Sequence, residues 1–245
     1  MAFAMESADL SSISSKKETT MDLIDQSLGT LARTIPGATR VFDAHHFDFC
    51  CGGKQTLRSA AAQAGVDALP IVAELRVLEG RTAGDGGRDW SAASATELVD
   101  HILARYHAVH REQLPELIRL ARRVEQVHGD RPDCPLGLAD HLTVMAQELE
   151  SHMRKEEEVL FPMVARGHGA MARMPITVMR MEHDDHGVAL RRLEALTDGI
   201  TLPRAACNTW RALYAGLKTF REDLMQHIHT ENNILFERFA PVAVH

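Results

Sequence analysis

The chain has 245 residues, of which 45% are hydrophobic and 5% aromatic, so it is long enough to bury the core of a globular protein with one or two domains. Its formal charge of -7, from 27 basic and 34 acidic side chains, excludes the basic surface typical of nucleic-acid-binding proteins and gives no basis for binding an anionic membrane. It has no run of about eighteen apolar residues and no apolar stretch with a cleavage site near its start, so we expect neither a transmembrane helix nor a secretory signal, and we predict a cytoplasmic protein.

The composition changes along the chain and predicts two helical domains joined by a linker. The first stretch is rich in Ser, Lys, Glu and Thr, as disordered segments are. The second has short helical patterns interrupted by Pro and Gly, the third is rich in Gly, and the fourth has long helical periodicity. We therefore predict a disordered leader, a small helical domain, a linker and a helical bundle, at residues 1–21, 22–80, 81–92 and 93–240.

Two adjacent cysteines, Cys50 and Cys51, precede two glycines in the small domain. Residues 54–64 are predicted to be helical, so both thiols would lie at a helix N-terminus, where the helix dipole and Lys54 would lower their pKa. We predict a role for this pair in redox chemistry or iron transfer. In the alternative interpretation the glycines only permit a tight turn. The chain has four cysteines, and we expect free thiols because a bundle of this size needs no disulfide.

Four long segments with helical periodicity follow the linker, with breaks at residues 129–135, 167–175 and 199–203. Long helices joined by short connections are typical of an antiparallel four-helix bundle, so we predict an all-α fold. Each segment has an inward-facing stripe at alternating steps of three and four residues. The stripes are Leu103, His107, His110, Leu114, Leu117 and Ala121; Leu138, Leu142, Met145, Leu149, His152, Glu156, Leu160 and Met163; Ile176, Met179, His183, His186, Leu190 and Leu193; and Ala206, Trp210, Leu213, Leu217, Phe220, Leu224, His227, Glu231 and Ile234.

Polar groups that bind metals occupy these stripes where the pattern favours Leu. A single inward histidine is more often a hydrogen-bonded core residue, and a lone H-x-x-x-E sequence is a weak signal. Here two such sequences are in phase with two further core histidines, and buried carboxylates need compensation. The predicted metal ligands are His107, His152, Glu156, His183, His227 and Glu231.

The ligand types indicate the metal. Imidazole and carboxylate ligands with coordination positions left open suit iron or manganese better than a closed zinc site, and residue types alone leave manganese open. Two carboxylates offset only part of the charge of two metal ions, so we expect bridging oxygen species as well. The predicted cofactor is a pair of non-haem iron ions per chain with an oxo or hydroxo bridge.

Four further polar residues lie near the predicted ligands in sequence. Glu148 lies one turn before His152 and Glu182 directly precedes His183, so either could orient ligands or relay protons; the alternative is a solvated surface position. His110 and His186 share the inward stripes. We expect them to act as hydrogen-bonding partners of ligands rather than as ligands.

Several long motifs resemble those of the RIC (repair of iron centres) proteins, a family of di-iron proteins that repair iron-sulfur clusters after nitrosative or oxidative stress. The resemblance runs from about residue 27 to the end of the chain. The motifs are Asp48-Phe49-Cys50-Cys51-Gly52-Gly53-Lys54-Gln55-Thr56-Leu57, Arg105-Tyr106-His107, His110-Arg111-Glu112-Gln113-Leu114-Pro115, His152-Met153-Arg154-Lys155-Glu156-Glu157, Leu160-Phe161-Pro162, Glu182-His183-Asp184, and His227 with Glu231-Asn232-Asn233.

The resemblance implies a C-terminal hemerythrin-like bundle in which four histidines are ligands and Glu156 and Glu231 bridge the irons. It also implies that Glu148 and Glu182 lie close to the irons and that the Cys50-Cys51 domain assists repair. Gly187 stands four residues after His183, where oxygen-carrying hemerythrins would place another histidine. Fewer imidazoles imply a more open and reactive centre.

The leading functional hypothesis is the repair of damaged iron-sulfur clusters by iron delivery, by nitric oxide reduction, or by both. The sequence does not decide between an enzyme and an iron-donating factor. The predicted partners are iron-sulfur proteins as clients and small molecules such as nitric oxide, oxygen or peroxide, without nucleic acid or membrane; a homodimer is left open. The alternatives are an oxygen or nitric oxide sensor or carrier of the hemerythrin type, and an iron store, for which one centre per chain is poorly suited.

Overall fold

The computed structural model describes residues 23–81, 90–167 and 169–239, and the chain divides into two compact units at residues 88 and 89. The predicted leader and most of the predicted linker lie outside the described residues. Within the described residues the structure is helical apart from turns and one isolated antiparallel bridge between Ser27 and Thr56, so the all-α prediction is confirmed. The predicted domain limits, 22–80 and 93–240, stay predictions.

After the helical residues 23–25, the described part of the N-terminal unit contains four further helices. Ser27 and Thr56 cap two of them, because each side chain accepts a hydrogen bond from the backbone N–H three residues later. The predicted helix 54–64 therefore begins only at Leu57. The helices are α1 Leu28–Thr34, α2 Ala38–Ala44, α3 Leu57–Ala64 and α4 Ala68–Arg81.

The C-terminal unit is a bundle of four long helices, and three of them contain a π-helical turn. The first bundle helix packs against the second and the fourth, and the second packs against the third. The first bundle helix is α5 Ala95–Ile102, π turn Leu103–His107 and α6 Ala108–His128. The second is α7 Leu138–Lys155, π turn Glu156–Leu160 and α8 Phe161–Ala165; the third is α9 Gly169–Leu196; and the fourth is α10 Asn208–Thr230, π turn Glu231–Leu235 and the 3-10 helix Phe236–Phe239.

The helix ends follow local sequence signals, with one exception. Ser94 and Glu97 form a capping box at the start of the first bundle helix. Gly137, with a φ of 86°, lies directly before α7 in the left-handed region that favours glycine. The predicted break at 167–175 is too long, because α9 begins at Gly169 and includes Pro175. Proline removes one backbone hydrogen bond, and the helix tolerates this where neighbouring Met171 and Met174 are exposed and water can solvate the backbone.

Each π turn contains one predicted ligand and is closed by a backbone hydrogen bond to a carbonyl five residues earlier. The donors are the N–H groups of Ala108, Phe161 and Phe236, and the acceptors are the carbonyls of Leu103, Glu156 and Glu231.

A π turn advances the inward face of a helix by one residue. Leu103, Met163 and Ile234, which a regular α-helix would place in the core, are only partly buried. Phe161 and Phe236 are buried instead, at 3% and 1% exposure. The predicted core stripe is therefore wrong at these three positions, and the reason is the extra residue in each π turn. Among the described residues, no helix combines the length and apolarity that crossing a bilayer requires.

Candidate metal centre

All six predicted ligands are buried and meet in the bundle core, with side chains at most 1% exposed. They form two groups that have Glu156 and Glu231 in common, and the potential ligand atoms within each group lie within 4.8 Å of one another. His107 and His227 complete the first group, and His152 and His183 complete the second. That these residues bind metal stays a prediction, but the structure brings all of them together.

In the first group, two imidazoles and two carboxylates converge. The Nε2 atoms of His107 and His227 lie 3.2 Å apart. His107 Nε2 is 3.3 Å from Glu156 Oε2, and His227 Nε2 is 3.1 Å from Glu231 Oε1. The nitrogen and oxygen atoms that can bind a cation therefore face one point.

The second group repeats this arrangement. The Nε2 atoms of His152 and His183 lie 3.1 Å apart. His152 Nε2 is 3.4 Å from Glu156 Oε2, and His183 Nε2 is 3.0 Å from Glu231 Oε2. Glu231 thus turns one carboxylate oxygen towards each group, which is the geometry of a bridging carboxylate.

Three of the four imidazoles are oriented by hydrogen bonds from their outer nitrogen atoms. The Nδ1–H of each ring donates to a side-chain oxygen, which leaves the Nε2 lone pair pointing inward. The pairs are His107 with Glu157 at 2.8 Å, His152 with Glu182 at 2.9 Å and His183 with Asn232 at 2.9 Å.

The fourth imidazole, that of His227, is held by ring stacking. Its Nδ1 atom has no hydrogen-bond partner among the described residues, and its ring stacks on Tyr106 with 5.2 Å between centroids. Phe161 and Phe236, which the π turns bring inward, stack on His107 and His183 at 5.7 and 5.9 Å. Aromatic rings therefore cover the centre and limit the access of water.

Basic side chains on the helix surfaces fix two of the orienting carboxylates. Arg111 binds Glu157 at 2.9 Å, and Lys155 binds Glu182 at 2.5 Å. Partial burial would raise the pKa of Glu157, but hydrogen bonds from Arg111 and His107 outweigh it and lower this pKa. Glu157 therefore stays ionised and can accept the hydrogen bond from the Nδ1–H group of His107.

The electrostatics of the two shared carboxylates fit a pair of cations. Both oxygens of Glu156 and Oε2 of Glu231 are buried without a hydrogen-bond partner within the described part of the chain. Burial, followed by the charge of Glu231, raises the pKa of Glu156 well above its usual range. Burial acts in the same direction on Glu231, but His227 and His183 outweigh it and hold the pKa of Glu231 well below its usual range. Cations would compensate such buried, partnerless oxygens.

Comparisons with known proteins identify the family of this chain. Residues 98–239 match the model of the hemerythrin HHE cation binding domain, and residues 24–79 match ScdA_N, a domain of unknown function. Iron-sulfur cluster repair protein YtfE of Yersinia pseudotuberculosis serotype O:1b (strain IP 31758) is 51% identical over 218 residues, which cover 89% of this chain and 98% of that protein. The protein of the same name from Yersinia pestis (strain Pestoides F) matches with the same identity and coverage. This chain belongs to the YtfE family.

Membership of the YtfE family confirms the predicted architecture. A hemerythrin-type cation-binding bundle follows a small helical domain of the ScdA_N type. Every π turn and every predicted ligand lies within the hemerythrin match. The bundle of this YtfE relative is therefore a metal-binding domain.

Glu148 and Glu182 occupy different positions relative to the centre. Glu182 contacts the ligand His152 directly, as described above. Glu148 lines a cleft of about 670 Å³ between α7 and α9, together with Glu182, Lys155 and His186. It makes no hydrogen bond to a predicted ligand within the described residues. Of the two carboxylates, only Glu182 orients a ligand.

His110 and His186 contact ligands through their rings rather than through hydrogen bonds. The centroid of His110 is 5.3 Å from that of His227, and the centroid of His186 is 5.0 Å from that of His152. Burial lowers the pKa of each to about 3, so both are neutral. The expectation that they would be hydrogen-bonding partners of the ligands is wrong, because within the described residues each ring lies beside a predicted ligand without a hydrogen bond to it.

Two orienting residues, Glu157 and Asn232, lie outside the inward stripes and were not predicted from them. Both directly follow a predicted ligand, and Glu182 directly precedes one. A polar residue next to a ligand in sequence was the available signal. Such a residue lies beside the inward stripe, so a pattern at regular helical spacing does not include it.

The cysteine pair lies in the N-terminal unit and does not have the predicted environment. Cys50 and Cys51 lie in a turn, six or more residues before α3 begins at Leu57. The neighbouring thiol and burial raise the pKa of Cys50 well above its usual range. The expectation of a lowered thiol pKa at a helix N-terminus is therefore wrong for Cys50. None of the four cysteines, all of which lie within the described residues, forms a disulfide, as expected.

Proposed function

We propose that this protein repairs iron-sulfur clusters damaged by nitrosative or oxidative stress, and that it does so at a non-haem di-iron centre in its bundle. One observation carries the proposal. Two groups of two histidines that share Glu156 and Glu231 occur in a chain that is 51% identical to a protein named for this repair, over 98% of that protein.

In this proposal His107 and His227 hold one iron, His152 and His183 hold the other, and Glu156 and Glu231 belong to both. Once bound, the irons and an oxo or hydroxo bridge would supply redox and Lewis-acid chemistry at coordination positions that the protein leaves open. The protein itself supplies four ligands per iron. This open coordination suits exchange of iron or binding of a small molecule such as nitric oxide, oxygen or peroxide.

The surrounding residues hold protons and exclude water. Glu157, Glu182 and Asn232 accept hydrogen bonds from the Nδ1–H groups of three predicted ligands and so keep the inward nitrogens free to bind iron. Glu182 also faces the cleft between α7 and α9, where it binds Lys155.

The four-ligand arrangement supports two routes to repair. Delivery of iron to a damaged client requires irons that can leave, and reduction of nitric oxide requires positions at which nitric oxide can bind. Open coordination would meet both requirements. The proposed clients are proteins that contain iron-sulfur clusters.

The test uses the iron-loaded full chain and a dehydratase whose cluster has been damaged by nitric oxide. Recovery of dehydratase activity, without added iron, supports repair. Nitrous oxide in the headspace would assign the nitric oxide route, and iron transferred to the client would assign delivery. Reversible binding of nitric oxide without any recovery of the client would overturn the proposal in favour of a hemerythrin-type carrier or sensor.

A further inference from the structure

A second group of metal-binding side chains lies in the N-terminal unit, separate in sequence from the centre described above. It consists of Asp48, Cys50 and Cys51, whose potential ligand atoms lie within 4.8 Å of one another. The two Sγ atoms are 3.7 Å apart, and the thiol of Cys50 donates to Asp48 Oδ1 at 3.4 Å. Two sulfurs and a carboxylate oxygen thus form a compact triangle.

The triangle has the dimensions of one face of a tetrahedral metal site. Zinc–sulfur bonds of about 2.3 Å at the tetrahedral angle place two sulfurs about 3.8 Å apart. One zinc–sulfur bond and one zinc–oxygen bond of about 2.1 Å place sulfur and oxygen about 3.6 Å apart. Both distances agree with those between the side chains to within about 0.2 Å.

The geometry is less suited to a disulfide between the same two cysteines. A disulfide requires sulfurs about 2.05 Å apart and Cα atoms usually at least about 4.4 Å apart. Adjacent residues in a trans peptide have Cα atoms only about 3.8 Å apart. Closing this pair would therefore strain the backbone, whereas a cation could bind the sulfurs where they lie.

The backbone holds the triangle in place. Asp48 Oδ1 accepts hydrogen bonds from the backbone N–H groups of Cys51, at 2.9 Å, and Gly52, at 3.1 Å. A Cβ atom at Gly52 would lie 2.7 Å from the carbonyl oxygen of Asp48, so the turn requires glycine here. Phe49, between Asp48 and Cys50 in sequence, is buried against Phe42. The ligand atoms are therefore positioned before a cation arrives.

The two thiols differ in exposure, and this difference shows which side of the triangle faces solvent. Cys50 is 4% exposed, whereas Cys51 is only partly buried. A cation that binds both sulfurs as thiolates would displace the two thiol protons, which would be released to water. A fourth ligand can approach from the side of Cys51.

We infer that Asp48, Cys50 and Cys51 form a three-ligand site for a thiophilic divalent cation such as Zn²⁺ or Fe²⁺, with a fourth position open to water or to a ligand from another molecule. Two thiolates and one carboxylate select such a cation over Mg²⁺ or Ca²⁺, which prefer oxygen ligands. This site is independent of the proposed repair function.

Cobalt(II) titration of the reduced full chain tests the inference. Thiolate ligands give a sulfur-to-cobalt charge-transfer band in the near ultraviolet, whereas the imidazoles and carboxylates of the bundle give none. We expect this band to saturate at one cobalt per triangle. It should persist in the double variant Cys134→Ser/Cys207→Ser and disappear in Cys50→Ser/Cys51→Ser.

Asp48→Asn separates ligand loss from loss of folding, because the amide oxygen can still accept both backbone hydrogen bonds. We expect it to weaken cobalt binding at least about tenfold, since even residues that only orient a ligand have effects of this size. If the double serine variant does not fold, slower alkylation of Cys51 in the wild-type chain on addition of Zn²⁺ serves as the readout. Absence of the band, or its persistence without Cys50 and Cys51, would overturn the inference whatever the outcome of the repair assay.

Discussion

Glu156→Gln separates two roles of a shared carboxylate, which contributes to metal binding but lowers the folding stability of the metal-free protein. The substitution keeps the shape of the side chain and removes its charge. Glu156 Oε2 lies 3.3 Å from His107 Nε2 and 3.4 Å from His152 Nε2, so it serves both histidine groups. We therefore expect iron to be lost from both groups together, with metal content falling from about two irons to less than one per chain.

In the metal-free protein the same substitution should be favourable, because Glu156→Gln should then increase the free energy of unfolding. Without cations Glu156 is buried beside Glu231, and its pKa is raised well above the ordinary value of 4.5. A carboxyl group that holds its proton more tightly when folded than when unfolded costs folding free energy at pH 7, and the gap between pH 7 and its ordinary pKa limits this cost to at most about 3 kcal/mol. Because the folded pKa is raised, the associated stability is fully present below pH 4.5 and is lost as the pH rises. Gln does not titrate, so the metal-free variant should gain up to about 3 kcal/mol at pH 7 and little near pH 4.

Metal analysis and chemical denaturation after chelation measure the two effects. Glu158→Gln provides a matched control, because Glu158 lies two residues further on the same helix, is exposed and pairs only with Arg154 among the described residues. We expect the control to retain its iron and its stability. A Glu156→Gln protein that keeps two irons at wild-type affinity, or whose metal-free form is less stable than the wild type at pH 7, would refute the reasoning.

Three further predictions concern residues around the centre and the helix packing. Glu182→Gln should weaken iron binding about 10–100-fold in competition with a chelator, because it weakens the acceptor that orients a ligand; unchanged affinity would contradict that role. His186→Leu should retain both irons by metal analysis, since His186 is neutral and outside both ligand groups; loss of one iron would show that it is a ligand. Gly216→Ala should raise the free energy of unfolding by about 1 kcal/mol less than Gly80→Ala does, because both substitutions gain helix propensity but only the new Cβ at residue 216 meets a neighbour, 2.8 Å from Leu117 Cδ2. Equal unfolding free energies of these two variants would contradict the packing argument.

The burial and convergence of the six predicted ligands could be predicted from sequence because the bundle core is otherwise apolar. His152 and Glu156 lie four residues apart on a stripe of Leu and Met, and a polar pair there is conspicuous. Amphipathic periodicity therefore located both the bundle and the residues that interrupt its core. The same reasoning could not identify the metal, since iron and manganese accept the same ligands.

The local departures from a regular helix could not be predicted in this way. A π turn changes the inward face by one residue and leaves no clear signal in composition, so Met163 and Ile234 were assigned to the core in place of Phe161 and Phe236. The orienting residue Glu157 was missed for a related reason. It lies beside the stripe rather than on it, and only the packing of the second helix against the first brings it to His107.

The cysteine pair shows the limits of predicting electrostatics from sequence. The sequence indicated a helix N-terminus and a lowered pKa, but α3 begins six or more residues after the cysteines, and the thiol of Cys51 together with burial raises the pKa of Cys50. Burial and the direction in which an adjacent thiol points depend on how the turn packs, and a sequence pattern does not determine either.

The central claim is that six buried side chains hold two irons through shared carboxylates. Mössbauer spectroscopy of isotopically enriched, oxidised protein, combined with the iron content and electron paramagnetic resonance, tests it most directly. We predict about two irons per chain, one for each histidine group, coupled into a pair without a paramagnetic resonance signal. A single iron with the resonance of an isolated ferric ion, or one tightly bound zinc, would contradict the claim.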